Sequence, residues 1–359
     1  MRDGQIGLAI IGCGMMGSMR ARIAAQNAAV GLITLHDIDT EKAATLAREI
    51  GAVACDSSDE ALEHPDVGAA IISTRPVSHH ELGMKAVEST RTVLVEKPFT
   101  RETAQAQELT DAARERSVGL FAGYTQRFRP NYMGAKYQVS LGQIGQVTGG
   151  LVTFYTTRAR AENRLRKEPN GSPTANNFPH AADLALWYMA GSSPTRLTAV
   201  TSRGPLGEHA DVALTAWCLV EFDSGAVVTI GTSWELPPQY PAYHATMAVD
   251  LFGTRGVVRI DDSHSDVLLS SDDRIGTLDA PDMPNLDLKQ VFMGTFPPGT
   301  RAFGQVWGPV REETEAFIRC AVDGASGHEV LPGGEAAIEV RRVIDAAARS
   351  LETGQSVTL

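Results

Sequence analysis

The stretch VLVEKPF, residues 93–99, runs apolar residues straight into Glu96, Lys97 and Pro98. It places an acid and a base at the end of what reads as a buried strand, with a proline restricting the backbone around them. A lysine so placed stabilises negative charge developing on an oxygen, and accepts a proton if desolvation lowers its pKa towards neutrality. The plainer reading is a lysine that pairs structurally with Glu96. A second titratable group lies in ANNFPHAADLALWYMAG (175–191), where His180, Asp183, Leu184 and Trp187 recur at three- and four-residue steps. That spacing puts His180 and Asp183 on one helix face among apolar neighbours, and Pro179 suits the first turn. An imidazole suits proton exchange near neutrality, while the same pattern alone describes a structural histidine. A third group is TTRARAENRLRK (156–167), with Arg158, Arg160, Arg164, Arg166 and Lys167. It reads either as a solvated basic loop or as a wall that binds a carboxylate or phosphate.

The elements that must position these residues begin with IGLAIIG (6–12), a short apolar strand followed by GCGMMG and an Ala-rich helix. Gly12, Gly14 and Gly17 form G-x-G-x-x-G, with Met15 and Met16 between the last two. The first glycine turns the chain, the second admits a pyrophosphate close to the backbone, and the third lets helix pack on strand. Alone the motif is weak, because the chain has 34 glycines. Strand before, helix after, and a second strand ending at Asp37 strengthen it. Asp37 stands where a carboxylate accepts hydrogen bonds from an adenosine ribose and repels a 2′-phosphate, and Ile38 follows where an arginine would suit NADP. The pattern predicts NAD.

Apolar strands and helices then alternate through GAAIISTRP (68–76), HHELGMKAVEST, TVLVEKPF, TRETAQAQELTDAARER and VGLFAGY (118–124), with Thr100 as helix N-cap. Such alternation predicts a parallel, doubly wound α/β sheet with ligands at the carboxyl ends of its strands, where Asp37, Thr74, Lys97 and Tyr124 stand. After about residue 125 the pattern changes. ALTAWCLVEF and AVVTIGTSW are joined by Asp223-Ser224-Gly225, and MAVDLFG and GVVRID by Gly253-Thr254-Arg255-Gly256. Successive hairpins predict a second, α+β domain with a mainly antiparallel sheet. Residues 271–300 read as a long loop, and two helices follow. Trp234, Glu235 and Tyr240 either enter a pocket or stay outside it.

The 359 residues allow two domains, and 43% hydrophobic with 21% charged residues is ordinary globular composition. A net charge of −11 argues against a general nucleic-acid or anionic-membrane binder. Cys13, Cys55, Cys218 and Cys320 stand far apart with no metal-ligand spacing, so free thiols and no metal site are expected. No stretch is long and apolar enough to span a bilayer, and a soluble cytoplasmic protein is expected.

Together GCGMMG, Thr74-x-Pro76 with His79, Glu96-Lys97-Pro98, GYTQRFRP (123–130), His180 with Asp183, and AAARSLETGQSV resemble the glucose–fructose oxidoreductase / inositol dehydrogenase / rhizopine-catabolism (Gfo/Idh/MocA) family. The matches run through nearly the whole chain, and Glu96-Lys97-Pro98 is the most specific. The resemblance implies a Rossmann domain over residues 1–124. Residues 125–359 would form a domain with an open sheet for substrate and oligomer contacts, and a helix at about 335–352 would pack back on the first domain. It implies bound NAD contacted by Gly12, Gly14, Met15, Met16, Gly17, Asp37, Ile38, Thr74, Arg75, Pro76, His79, Glu96 and Lys97. It also implies hydride transfer at a secondary CHOH/C=O centre of a sugar, cyclitol or sugar derivative, and a homodimer or homotetramer. In the family the lysine works with a histidine, matched by His180, and an aspartate four residues before it. Here that position is Asn176, which holds a hydroxyl but cannot carry a proton. Lys97 and His180 suffice with Asn176 orienting, or the site has specialised or lost turnover. Arg127, Asp183 and Arg158 are the further substrate candidates. Two alternatives remain open: an enzyme that cleaves glycosides with no net redox change, and an NAD-binding regulatory protein without catalysis.

Overall fold

The computed structural model describes residues 4–167, 171–238, 240, 245–262, 267–270, 290–293, 300–302 and 304–359. The chain divides into two units, Met1–Phe128 with Arg301–Arg341, and Arg129–Thr300 with Arg342–Leu359. No described helix is long and apolar enough to cross a membrane.

In the first unit the short apolar runs become strands, the inner ones buried on both faces as a parallel sheet covered by helices requires, while the two-residue edge strand is exposed. These are β1 (Ile6–Ile11), β2 (Val30–His36), β3 (Val53–Ala54), β4 (Val67–Ile72), β5 (Thr92–Glu96) and β6 (Gly119–Gly123). All pairs are parallel, in the order β3-β2-β1-β4-β5-β6. The order reverses between β1 and β4, the crevice where such sheets take ligands. Since the strands share one direction, Asp37, Thr74, Lys97 and Tyr124 come to one edge, as the alternating pattern predicts. Leu8, Ile10, Leu35, Ile71, Leu94 and Phe121 fill the core with Phe317 and Ile318 of the helix Pro309–Asp323. Each such side chain, taken out of water, contributes roughly 1.5–3 kcal/mol.

One local expectation changes, and one helix is added. The helix after β5 spans Thr103–Glu115 and begins past Glu102, not Thr100. The Thr100 hydroxyl donates to the Glu102 carbonyl (2.9 Å) inside the connecting turn. The added helix is Thr40–Ile50, and its signals are present in the sequence. The Asp39 side chain accepts from the Lys42 N–H, and Gly51 closes the helix at φ +72°.

The second unit is built on β7 (Val147–Thr157), β8 (Pro194–Ser202), β9 (Thr215–Phe222), β10 (Val227–Leu236), β11 (Ala245–Gly253) and β12 (Val257–Asp261). Their order is β12-β11-β7-β10-β9-β8, with Val357–Thr358 on the outer edge of β8. Every pair is antiparallel except β7 with β10. Both predicted hairpins form. Gly225 takes φ +82° in the first turn, and the Gly253 N–H donates to the Gly256 carbonyl (2.8 Å) in the second. Along β9 Ala216, Cys218, Val220 and Phe222 are buried while Trp217 and Leu219 face out, the two-residue alternation of a one-sided sheet.

The basic segment is not a loop. Arg158–Lys167 is a helix whose Ala161 and Leu165 pack on Leu206, Leu214 and Trp234. Its charges mask a four-residue apolar step, which is why the run reads as irregular. The predicted loop 271–300 lies largely outside the described residues; within it Gln290–Met293 pairs antiparallel with Val267–Ser270. The four cysteines are buried and free.

Candidate active site

At the end of β1 the chain turns on Gly12, which has φ +97°, a left-handed conformation that favours glycine. A Cβ on Gly12 would lie 2.5 Å from the Ser73 carbonyl oxygen, and one on Gly17 1.9 Å from that of Gly12. A Cβ on Gly14 would meet nothing within 4 Å, so space opens above the turn. Gly14 then caps the helix Met15–Ala25 without a side-chain bond, and no acid stands in its first turn. Its leading N–H groups and positive dipole end therefore suit a phosphate. Met15 is half exposed beside them, and Met16 packs against Met19, Ile23, Val306 and Val310. The buried Ser73 hydroxyl next to the turn has no hydrogen-bond partner among the described residues.

Asp37 is oriented by the backbone. Its Oδ2 accepts from the Cys13 N–H at 2.6 Å and its Oδ1 from the Asp39 N–H at 2.8 Å. Each oxygen keeps capacity for a further donor such as a ribose hydroxyl. Ile38 beside it is 91% exposed. The Cys13 thiol is pushed up to about 12 by burial and by Asp37, against Lys42, so it stays protonated and unreactive.

The opposite side of the crevice holds Thr74, Arg75 and Pro76 after β4, with Arg75 and Pro76 exposed. His79 is fully buried, with Nδ1 2.8 Å from the Pro98 carbonyl oxygen and Nε2 3.1 Å from that of Thr74. Burial lowers its pKa, opposed by those two carbonyls, so the ring tends to the neutral form. In that form one ring nitrogen carries the proton and donates to one of the two carbonyls, and the ring packs between the end of β4 and the turn after β5.

Glu96 ends β5, and Lys97 leaves it half-buried across a cis peptide to Pro98. Arg20 holds Glu96 through Nε at 2.8 Å and Nη2 at 2.6 Å, both to Oε1. The Arg20 Nη2 also donates to Glu313 Oε2 at 2.5 Å and Nη1 to Thr314 Oγ1 at 2.9 Å. The Thr125 hydroxyl donates to Glu313 Oε2 at 2.9 Å. Arg20 and Glu313 are fully buried. Burial opposes the charge on Arg20, but Glu96 and Glu313 outweigh it and raise its pKa. Sequence reasoning missed Arg20, Thr125 and Glu313, whose contacts join helices far apart in the chain. Arg127 lies buried in the turn Thr125–Phe128.

In the second unit the helix Phe178–Tyr188 carries Pro179 in its first turn and His180 behind it, as the spacing predicts. His180 lies 5.7 Å from the Phe154 ring between centroids, and Asp183 is fully buried on the same helix. Asn176 ends the short helix Pro173–Asn176 and is half-buried. Its neighbour Asn177 has a structural task, donating from Nδ2 to Thr156 Oγ1 at 2.7 Å. Arg158 opens the basic helix, half-buried, and Arg164 lies over the Trp234 ring at 5.3 Å. Trp234 is buried in that cluster, and Glu235 accepts from the N–H groups of Leu206 and Gly207 (3.1 and 2.8 Å), capping the helix Pro205–Ala210.

Two family models match the chain in succession. One is the oxidoreductase family with NAD-binding Rossmann fold, over residues 6–124; the other is the GFO/IDH/MocA C-terminal domain, over residues 132–259. The chain belongs to the Gfo/Idh/MocA oxidoreductase family. It is similar to the inositol 2-dehydrogenase of Rhizobium meliloti, 22% identical over 358 residues and 98% of each chain. It is also similar to the scyllo-inositol 2-dehydrogenase (NAD(+)) of Bacillus subtilis, 25% identical over 273 residues, 71% of this chain and 74% of that one. Among solved structures, GenD2 from gentamicin A biosynthesis in complex with NAD shares the fold. Its TM-score is 0.78 at 24% identity, covering 99% of this chain and 96% of that one. As in this family generally, residues 6–124 are an NAD-binding Rossmann domain. The open space above Gly14, the uncapped helix and the oriented Asp37 carboxylate fit that cofactor.

Proposed function

We propose that this protein is an NAD-dependent dehydrogenase acting on a secondary alcohol or ketone of a polyol, sugar or sugar derivative. The observation that carries the reading is a lysine and a dinucleotide turn on one edge of one sheet. Lys97 leaves β5 at the carboxyl edge where Gly12 and Asp37 also stand. Inositol dehydrogenases among the relatives favour a polyol substrate. NAD, when bound, accepts or gives the hydride. In this reading Lys97 holds the substrate oxygen and exchanges its proton, and His180 passes that proton on. Asn176 orients a hydroxyl, and Arg127, Asp183 and Arg158 contact the rest of the substrate. Thr74, Arg75, Pro76, His79, Glu96 and Lys97, at the ends of β4 and β5, would hold or support the cofactor. The carboxylate of Asp37 beside Ile38 favours NAD over NADP.

The outer face of the large sheet exposes Val200, Trp217, Leu219 and Phe252 by 37–60%, a surface suited to a second copy of the chain. A homodimer or homotetramer is the proposed assembly. The deciding experiment follows NADH absorbance across inositols, hexoses, sugar acids and amino sugars. The expected result is turnover of at least one class, lost by a factor of about a hundred or more in Lys97→Ala while NADH fluorescence still titrates. Full turnover in Lys97→Ala would remove the proposed mechanism.

A further inference from the structure

Two carboxylates meet at one guanidinium nitrogen in the first unit. Arg20 Nη2 donates to Glu96 Oε1 at 2.6 Å and to Glu313 Oε2 at 2.5 Å, with the three side chains 0–6% exposed. The other Glu96 oxygen, Oε2, accepts from the Lys97 main-chain N–H at 3.2 Å. A Cβ on Gly123 would lie 3.1 Å from Glu96 Oε2 and 3.2 Å from Arg20 Nη2, so the strand beside it leaves room for this arrangement.

We propose that Glu313, with Arg20, is a positioning residue for Lys97: it fixes the Glu96 carboxylate against the Lys97 N–H and sets the charge that Lys97 experiences. This rests on the dehydrogenase reading for its effect on rate, but not for its effect on Lys97 itself.

With both carboxylates ionised, the buried cluster would hold a net negative charge, which is costly away from water. Glu313 is the group that relieves it. Its Oε1 is buried with no hydrogen-bond partner among the described residues, whereas both oxygens of Glu96 accept bonds. Burial pushes the Glu313 carboxyl up to about 7, opposed by Arg20 and reinforced by Glu96. The charged groups on the elements packed against its helix are Arg20 and Arg22, Glu96, and Arg127; Arg22 pairs with Glu49 instead. On its own helix, Arg311 pairs with Glu315. Below the Glu313 titration the triad is neutral. Above it the triad is anionic, and the Lys97 ammonium is favoured over the free amine.

The test compares wild type, Glu313→Gln and Glu313→Leu as full chains. Acetylation of Lys97 by acetic anhydride, read by mass spectrometry against exposed Lys42, reports the free amine without any turnover. The expected result at about pH 8 is at least threefold faster relative labelling of Lys97 in Glu313→Gln than in wild type, with convergence at about pH 6. In kinetics, Glu313→Leu is expected to lower kcat about tenfold or more while NADH affinity stays within about threefold, and Glu313→Gln to recover most of that loss. Identical labelling profiles for wild type and Glu313→Gln would overturn the proposal. So would an equal fall in kcat and NADH affinity in Glu313→Leu, which marks a merely structural role. A wild type that binds NADH but turns over no substrate would instead sink the dehydrogenase reading, and the labelling profiles would still decide the role of Glu313.

Discussion

Asp37 is held by two backbone N–H donors, so its carboxylate is already oriented for the proposed contact with a ribose. Substituting it with alanine removes a charged acceptor. Hydrogen bonds to a charged group are worth about 1.5–3 kcal/mol, so NADH affinity in Asp37→Ala should fall roughly ten- to a hundredfold. NADPH should lose less or gain, and fluorescence titration of both cofactors checks the contrast. At Asn176 the direction is opposite. If Lys97 and His180 suffice, Asn176→Asp should raise or preserve kcat and shift its pH profile, because a titratable group joins the site. Steady-state kinetics over pH on the best substrate measures it. The visible residues were those whose neighbours in sequence are also their neighbours in space. Glu96, Lys97 and Pro98 could be singled out from one heptapeptide. Arg20 and Glu313 could not, because a buried ion pair joining separate helices leaves no local spacing.

The elements were legible in proportion to their periodicity. The inner parallel strands of the first unit are mostly apolar, and both antiparallel hairpins are marked by glycine turns. The helix Arg158–Lys167 was hidden because four arginines and a lysine overwhelm the Ala161 and Leu165 stripe that packs it down. That stripe rests on Trp234, which is fully buried. Trp234→Ala should cost about 3–5 kcal/mol and lower the melting midpoint, as measured by calorimetry. Trp234→Phe should cost less, because much of the apolar volume remains. The start of the helix Thr103–Glu115 was misplaced for a different reason: a threonine hydroxyl that could cap a helix found a carbonyl in the preceding turn.

At the scale of the whole molecule, the buried Glu313 couples folding to pH. A carboxyl held up to about 7 binds its proton more tightly in the folded than in the unfolded chain, where it titrates near 4.5. Between those values the folded state holds more protons, so this group's contribution to stability falls as pH rises and is fully lost above the folded pKa. Glu313→Gln should remove that slope, a difference on the order of 1–3 kcal/mol between about pH 4.5 and pH 8, read by urea unfolding. The exposed face around Trp217 makes a second molecular prediction. Trp217→Glu should shift the proposed homo-oligomer towards monomer in light scattering, with the cofactor domain still binding NADH.

The parallel seam between β7 and β10 has a kinetic consequence. Gly231 pairs with Thr153 across a long intervening chain, whereas β9 and β10 meet through a tight turn. Closing the distant seam costs more entropy than closing the hairpin. The hairpin should therefore assemble early and the seam late, in the manner of a clasp fastened after the garment is on. Substitutions that weaken the seam are expected to hasten unfolding while leaving the refolding rate nearly unchanged.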